Sequence, residues 1–385
     1  MKDIKCNREK ICFVALGAYP LLAAKDPKNV IGPDVHQAIL INQLVKHNLQ
    51  ISVVTYEGNE ESSECINSIR FMKVPYYTHR LRVIDVLLKA FRLWKGMHSA
   101  NADVYFHAGG AAGITSIFCK LYRKKYVYSI ASDALVNRKI VSGRVCGFSQ
   151  SKLSVGNFGN WIDIKLADAI IVQSVYQKKM LFKNFGRDSK IIKMPFPITK
   201  EEPPEKADPP IVLWVGSMAE VKQPELFLKL AEAIPEARFQ MIGGHSGSRE
   251  LYDRIKDTAG RIPNLEFLGV VPFSEIDEYF SQASILVNTS MFEGFPNAFI
   301  QAWIHYMPVA TLNHDPDGLI FANKLGFHSR SFDQMVEDTK LLLMDGKLRE
   351  KMGMNGRTYV EMNHDIADII SQYINIFEKT AFNEK

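Results

Sequence analysis

Apolar and polar residues alternate along the chain in two recurring patterns. Short runs of β-branched and aromatic residues, such as KICFVAL and ISVVTY, are typical of strands. Between them lie amphipathic stretches such as VHQAILINQLVKHN, in which Val35, Ile39, Leu40 and Leu44 recur at helical spacing. Because continuous apolar strands separated by helices favour a parallel sheet covered on both faces, the pattern predicts an α/β fold.

One stretch interrupts this alternation. Residues Pro195 to Pro210, PFPITKEEPPEKADPP, are rich in proline and charge, which is typical of an interdomain linker. The alternation then restarts with IVLWVGS, RFQMIGG, LEFLGVV, ILVNTS and PVATLN. We therefore predict two doubly wound, Rossmann-like domains facing a central cleft, residues 1–198 and 199–364, followed by a last helix at about 365–385. Ligands of such folds bind at the carboxyl ends of the strands.

The composition agrees with two globular domains, and the net charge bears on whether the partner is a nucleic acid. A chain of 385 residues with 46% hydrophobic and 23% charged residues is ordinary for a soluble protein of two domains. The net charge of +5 is modest, whereas a nucleic-acid-binding protein usually carries a denser basic stripe. We therefore expect no nucleic-acid partner.

Cysteine usage and hydropathy bear on the compartment. The five cysteines form no CxxC pair, which favours reduced thiols in the cytosol over disulfides or a zinc site. No secretory signal is evident, and no segment approaches the roughly 18 to 20 apolar residues of a transmembrane helix. We expect a cytoplasmic protein that at most rests on the inner face of the cell membrane.

One segment is both basic and amphipathic. RLRVIDVLLKAFRLWKG, Arg80 to Gly96, interleaves five Lys and Arg residues with large apolar side chains. Such a helix can lie on anionic lipid, which would give peripheral membrane contact. The alternative, which the pattern favours, is a crossover helix whose apolar stripe packs onto the sheet.

Candidate chemistry is concentrated at strand ends in the second half. After IVLWV, Gly216 and Ser217 open a loop, Lys222 follows, and Pro224 starts a helix whose N-terminus attracts anions. A lysine beside a helix N-terminus suits a diphosphate. The alternative is a solvated loop lysine.

The next three strand ends add further candidates. Gly243 and Gly244 follow RFQMI and allow close backbone approach to a ligand, although glycine turns after strands are common. Val271 follows LEFLG. After ILVNTS comes SMFEGFPNAFIQAW, in which Glu293 and Gln301 are eight residues apart, so that a turn between them lets both face one cleft. Alternatively, Glu293 is an acid at a helix start, stabilised by the helix dipole.

The order and spacing of these pieces resemble the retaining glycosyltransferases of family 4, which have the two-domain GT-B architecture. The likeness covers nearly the whole chain and is strongest from IVLWVGSMAEVKQPELFLKLA through EGFPNAFIQAW to MPVATLNHDPDGLI. It implies a hexosyltransferase that moves a sugar from a nucleotide-diphosphate donor to a glycan or lipid-linked acceptor with retention of configuration. Relatives of this kind build surface polysaccharide. The resemblance implies no cofactor and no metal.

The resemblance also implies roles for residues of the donor-binding domain. Glu293 would contact hydroxyls of the donor sugar, and backbone amides after it would lie near the sugar and the diphosphate. Two positions depart from the family pattern: Gln301 replaces a second glutamate that binds ribose, and Ser217 replaces an arginine that pairs with the lysine. An amide accepts a hydrogen bond more weakly than a carboxylate, and Lys222 remains as the clear cation. The residues after Glu293 to which the resemblance assigns donor contacts are Gly294, Phe295, Pro296 and Asn297.

The first domain corresponds to the acceptor half, and the last helix would return to pack on it. Loops bearing Gly17 and Gly32 would approach the donor phosphate. Relatives place a histidine near the reacting sugar, but this chain has Asp133 there, and His107 is the nearest alternative. Each is otherwise a polar residue at a strand end with a structural partner.

Two further motifs could indicate a ligand site. DVYFHAGGAAG does not match GxGxxG, so a dinucleotide site is not expected. HDPDG, His314 to Gly318, has two carboxylates that suit a hard cation, but a strand-to-helix loop closing over the donor is favoured.

The alternatives to a transferase are a sugar-nucleotide epimerase of the same architecture and a non-catalytic protein that binds nucleotide or glycan.

Overall fold

The computed structural model divides the chain into two compact units. The first comprises the described residues of Met1–Lys25, Pro33–Pro195 and Ile366–Lys385, and the second those of Asp26–Gly32 and Phe196–Asp365. The structure describes residues 9–25, 32–47, 49–58, 60–76, 82–108, 113–137, 155–198, 202–246 and 249–382.

The elements of these residues are numbered in chain order. The strands are β1 Lys10–Val14, β2 Gln50–Tyr56, β3 Ser62–Ile66, β4 Ile69–Val74, β5 Val104–Ala108, β6 Lys125–Ser129, β7 Ala169–Val172, β8 Lys190–Ile191, β9 Ile211–Val215, β10 Arg238–Ile242, β11 Leu265–Gly269, β12 Ile285–Asn288, β13 Val309–Thr311 and β14 Gly326–His328. The helices are α1 Tyr19–Leu22, α2 Gly32–Leu44, α3 Arg82–Ala100, α4 Ile114–Leu121, α5 Val155–Leu166, α6 Val175–Phe185, α7 Pro224–Ala233, α8 Arg249–Ala259, α9 Ile276–Gln282, α10 Asn297–Ile304, α11 Leu319–Ala322, α12 Phe332–Met344, α13 Gly346–Asn363 and α14 Ile366–Phe382.

The first unit is built on a sheet with helices on both faces. Its described strands follow the order β3-β4-β2-β1-β5-β6-β7-β8, and all pair in parallel except β3, which is antiparallel to β4. Because successive residues of a strand point to opposite faces, Ile11 and Phe13 pack with α2 and α14, and Cys12 and Val14 pack with α3 to α6. The last helix, α14, therefore completes one face of the first unit.

The second unit repeats this plan on a smaller scale. Its described strands lie in the order β11-β10-β9-β12-β13-β14 and are all parallel. Apolar residues of β9, β10 and β12, including Val212, Phe239 and Val287, form a buried core with Phe227 of α7. The adjacent parallel strands β9, β12 and β13 bring their carboxyl ends to one edge of the sheet.

The α/β prediction with two Rossmann-like domains is confirmed. Each apolar run for which the pattern predicts a strand, such as KICFVAL, ISVVTY and IVLWVGS, contains a strand in the structure. The edge strands β3, β8 and β14 were not predicted. The strand β3, SSECI, is polar, and it pairs with β4 through a two-residue turn in which Asn67 and Ser68 both have positive φ, as in a type I′ hairpin. Its pairing depends on that turn and not on an apolar pattern.

Some predicted features lie partly outside the described residues. The basic segment forms helix α3, but Arg80 and Leu81 precede it and are not described, and Gly109 to Ala112 of the glycine-containing motif are likewise outside. The described residues between Pro195 and Pro210 form neither helix nor strand. In the described part of the chain, no helix has both the length and the apolar content needed to cross a bilayer.

Candidate functional site

The predicted lysine and glutamate come together at the carboxyl ends of β9 and β12. Lys222 ends a short 3-10 helix, Glu220–Lys222, in the loop after β9, and Glu293 lies in the loop after β12. The Lys222 ammonium forms a short ion pair with Glu293 Oε1. Ser290 Oγ donates to the same Oε1 at 2.6 Å. The two side chains are 24% and 12% exposed, so Lys222 is not a freely solvated loop lysine.

Backbone and side-chain hydrogen bonds hold the two loops together. Thr289 Oγ1 donates to the carbonyl of Lys222 at 2.6 Å and accepts from Trp214 Nε1 at 3.0 Å. The amide of Met291 donates to the carbonyl of Val221 at 2.8 Å. The ion pair is therefore fixed from both sides by the strands that carry it.

The charge state of Glu293 follows from its neighbours. Burial opposes ionisation of this carboxyl, but the charge of Lys222 and the hydrogen bonds from Lys222 and Ser290 outweigh burial and lower its pKa. Glu293 is thus an anion at neutral pH. Its hydrogen bonds run to Lys222 and Ser290, which does not match the alternative of an acid stabilised by a helix start.

A buried histidine, which sequence analysis did not assign, supports the turn after Glu293. His314 Nε2 lies 2.9 Å from the carbonyl of Gly294, and because a carbonyl only accepts, Nε2 carries the proton. Burial lowers the pKa of His314 more than the charge of Glu293 raises it, so the ring is neutral. Thr311 Oγ1 donates to the carbonyl of His314 at 2.9 Å. The position of His314 directly after a predicted strand was the available clue.

The glycines after β9 and β10 are needed by the protein's own packing. A Cβ on Gly243 would lie 1.7 Å from the carbonyl oxygen of Gly216. The amide of Gly216 donates to Ile242 O at 3.0 Å, and that of Met218 donates to Gly244 O at 2.8 Å. The two loops therefore touch backbone to backbone, with Ser217 between the contacts.

The other predicted residues of the second unit lie at several places in its fold. Phe295 is buried, with its ring 5.2 Å from that of His364. Pro296 precedes α10, whose first residue is Asn297, and Gln301 is buried one turn later. Val271 is half-buried in the loop after β11, and Gly32, the first residue of α2, is grouped with the second unit.

Of the predicted site residues of the first unit, Asp133 has a hydrogen-bond partner and Gly17 has a close neighbour, whereas His107 Nδ1 has no hydrogen-bond partner among the described residues. The Asp133 carboxylate accepts from Gln177 Nε2 at 2.9 Å. His107 on β5 is buried, which lowers its pKa to about 4. A Cβ on Gly17 would meet the Asp34 carboxylate at 2.3 Å, so glycine permits this close approach.

The structure gives a local role to one of the two carboxylates of the HDPDG motif. Asp315 Oδ1 accepts from the amide of Ile320 at 2.9 Å and so binds the start of α11. Within the described ranges, no group of three or more His, Cys, Asp or Glu side chains is arranged to hold a metal ion.

The second unit matches a family of transferases. Residues 196–359 match the family described as Glycosyl transferases group 1. The Glycosyltransferase 1 domain-containing protein 1 of Xenopus tropicalis is 24% identical over 166 residues, which is 39% of this chain. The match covers 45% of that relative's length.

Solved structures share the fold over almost the whole chain. Sucrose-phosphate synthase from Thermosynechococcus elongatus aligns with a TM-score of 0.80 at 16% identity, covering 97% of this chain and 99% of that one. WaaG, a glycosyltransferase involved in lipopolysaccharide biosynthesis, aligns with a TM-score of 0.69 at 14% identity, covering 95% and 99%. The fold is therefore that of the GT-B glycosyltransferases. The family match and these neighbours support a glycosyltransferase.

Proposed function

We propose that this protein transfers a sugar from a nucleotide-diphosphate donor to a glycan or lipid-linked acceptor, with retention of configuration at the anomeric carbon. The observation that carries the proposal is the partly buried ion pair of Lys222 and Glu293 at adjacent strand ends, inside the segment that matches the group 1 family. Parallel α/β sheets bind their ligands at this edge.

Glu293 binds and orients the donor sugar. Its two hydrogen bonds from Lys222 and Ser290 both end on Oε1, so we assign Oε2 to hydroxyls of the sugar. A carboxylate that stays ionised is a stronger acceptor for a hydroxyl than a neutral group. The hydrogen bond from His314 to Gly294 holds the following turn, and we assign the backbone amides of that turn to the donor.

Lys222 stabilises the charge that develops on the departing diphosphate. When the bond between the anomeric carbon and the diphosphate oxygen breaks, negative charge grows on the leaving group, and a fixed cation placed there lowers the barrier. The N-terminus of α7, two residues after Lys222, adds backbone amides whose partial positive charge also favours an anion. We propose that these groups make a metal ion unnecessary, in which case transfer persists in excess EDTA.

The acceptor is assigned to the first unit, and a surface glycan or a lipid-linked sugar is the class we propose. WaaG, whose fold this chain shares, is described as acting in lipopolysaccharide biosynthesis. The localisation we propose is cytoplasmic.

The test is a product analysis with a panel of donors. UDP, GDP and ADP are first ranked by the thermal shift they produce, and the matching nucleotide sugars are then incubated with glycan and lipid-linked acceptors. We expect free nucleotide and a glycosylated product by mass spectrometry, with the donor's anomeric configuration retained by NMR. An isomerised donor formed without acceptor would instead indicate an epimerase. Tight nucleotide binding without turnover would indicate a non-catalytic binding protein, for which the replacements at Ser217 and Gln301 are the sequence argument.

A further inference from the structure

The first unit exposes large apolar side chains on the helices that cover one face of its sheet. Helices α3 to α6 pack their inner sides onto that face through Met97, Phe118, Ile164 and Leu181. Their outer sides carry six large apolar residues, each 45% to 67% exposed, which we call the four-helix face. These residues are Leu87, Phe91, Leu121, Phe158, Trp161 and Phe182.

This exposure is confined to one side of the sheet. The opposite side is covered by α2 and α14, and among the described residues of these two helices the large exposed apolar side chain is Phe382, at the end of α14. A protein that simply packed loosely would expose such residues on both sides. Contiguous exposed apolar surface on a globular protein marks an interaction site.

The four helices are in contact with one another, so their outer sides form one face of the first unit. The rings of Trp94 on α3 and Tyr122 at the end of α4 lie 5.9 Å apart. Ser116 of α4 donates to Asp163 of α5 at 2.6 Å. Lys165 of α5 donates to the last carbonyl of α6 at 3.1 Å.

The same helices carry more basic than acidic residues, although Arg92 is buried and Lys95 and Lys178 pair with Glu61 and Asp188 outside the helices. They carry nine of the chain's 47 Lys and Arg residues and two of its 42 Asp and Glu residues. Of these two acids, Asp163 is buried, and Asp85 forms an ion pair with Lys89 at 2.8 Å. Exposed Lys179 and Lys183 flank Phe182 within one helical turn.

We propose that the four-helix face docks on an anionic lipid membrane surface. Protein–protein interfaces are depleted of lysine, whereas at a bilayer lysine stems lie along apolar surface while the ammonium groups reach the headgroups. Aromatic side chains are enriched at the same depth. Because no described helix can span a bilayer, the binding is peripheral and combines apolar insertion with charge attraction.

Vesicle sedimentation of the full chain tests this directly, without any nucleotide or acceptor, so its outcome is independent of the proposed function. Vesicles of phosphatidylcholine alone are compared with vesicles containing about 30% phosphatidylglycerol. We expect binding to the anionic vesicles that weakens as salt is raised, and at least roughly tenfold weaker binding to the neutral ones.

Two double variants separate the apolar and electrostatic parts. Lys179→Gln with Lys183→Gln should weaken partitioning roughly 25-fold, since each basic side chain near an anionic surface contributes about fivefold. Leu87→Ser with Phe91→Ser should weaken it at least about tenfold, because both side chains lose apolar burial.

Matched controls lie on the second unit. Lys347→Gln with Lys351→Gln removes the same charge from exposed positions of α13, and Met344→Ser with Met362→Ser removes two side chains that are 85% and 80% exposed. Both should bind vesicles like the unaltered protein. If the controls lose as much binding as the test variants, or if the unaltered chain pellets with neither vesicle, the proposal is overturned. A dimer in solution that Leu87→Ser with Phe91→Ser dissociates would assign the surface to a second copy of the chain instead.

Discussion

Two buried carboxylates, one in each unit, show how a neighbour decides what burial does to an acid. Glu293 and Asp163 are both largely or wholly buried, and each accepts a hydrogen bond from a serine hydroxyl at 2.6 Å, from Ser290 and Ser116 respectively. Burial raises the pKa of Asp163 to about 6, since its hydrogen bonds come from neutral donors that only partly offset desolvation. Burial acts on the pKa of Glu293 in the same direction, but the charge of Lys222 and the hydrogen bonds from Lys222 and Ser290 outweigh it, and the pKa is lowered.

The two sites also differ in what the carboxylate holds. Asp163 accepts from the amide of Gly113 at 3.2 Å as well as from Ser116, so it joins α5 to the start of α4 inside the first unit. Glu293 and its cation lie at a sheet edge where loops end. A perturbed pKa is therefore not enough to identify a functional acid; the charged partner and the position at the strand ends distinguish Glu293.

The largest expected effect is on sugar transfer. Glu293→Gln keeps the size of the side chain but removes the charge that orients the donor, and we expect kcat/KM to fall by a factor of roughly 100 to 1000. The matched substitution Asp163→Asn in the first unit should leave transfer within about twofold. Steady-state kinetics at about pH 7.5 on both variants, with circular dichroism to establish folding, makes the comparison. Equal losses in the two variants would mean that Glu293 acts through structure alone.

The next effect is a difference in the sign of the pH dependence of stability. Because the pKa of Asp163 is raised on folding, its contribution is fully present below the unfolded pKa and is lost as the pH rises through about 6. The unaltered protein should therefore gain on the order of 2 kcal/mol of unfolding free energy over Asp163→Asn between about pH 7.5 and 4.5.

The contribution of Glu293 has the opposite sign. Its folded pKa is lowered, so its contribution is present above the unfolded pKa and is lost as the pH falls through the folded one. The advantage of the unaltered protein over Glu293→Gln should then shrink in acid. Urea unfolding across this pH range measures both differences, and parallel trends for the two variants would contradict the assigned charge states.

The fold was predictable because its strands are buried on both sides. Runs such as IVLWV and DVYFHA are largely apolar, and such a run between two helices is typical of a strand in a covered parallel sheet. The short edge strands were not predictable in the same way. The residues of β14, Gly326 to His328, pair with β13 because the chain passes beside β13 after α11. Their sequence has no apolar pattern that predicts a strand.

The candidate site was predictable only at the level of which residues follow a strand. Lys222 and Glu293 were both named from that position, and the sheet order β9-β12 places the two strand ends side by side. The contacts of Ser290 and His314 depend on the shape of two loops, which local sequence does not determine. The buried state of Asp163 was equally hidden, since WIDIKL is compatible with a solvent-facing acid. The role of the site in donor binding stays a prediction.

Removing the Lys222 ammonium should change the pH dependence of the stability contribution of Glu293 toward that of Asp163. In Lys222→Met the carboxylate stays partly buried without its charged partner, and we expect a loss of roughly 2 kcal/mol of unfolding free energy at about pH 7.5. The loss should decrease as the pH falls, since a protonated Glu293 no longer needs a cation. Lys229→Met, at an exposed position of α7, is the control and should change stability by less than about 0.5 kcal/mol. A loss in Lys222→Met that does not depend on pH would indicate lost packing rather than lost charge pairing.

The smallest effect distinguishes the two serines. Ser116→Ala leaves a buried carboxylate without a strong donor and without a cation, so we expect a loss of about 1.5 kcal/mol in urea unfolding at about pH 7.5. Ser290→Ala leaves Glu293 still paired with Lys222, and the loss should stay below about 1 kcal/mol. Ser371→Ala, at an exposed position of α14, provides the baseline for deleting a helical serine hydroxyl. Ser116 Oγ also contacts the Gly113 carbonyl at 3.0 Å, and Ser290 Oγ also accepts from Asn288 at 3.3 Å, so each substitution removes one further contact. A larger loss for Ser290→Ala would show that the Lys222 ammonium does not compensate for the lost hydroxyl at Glu293.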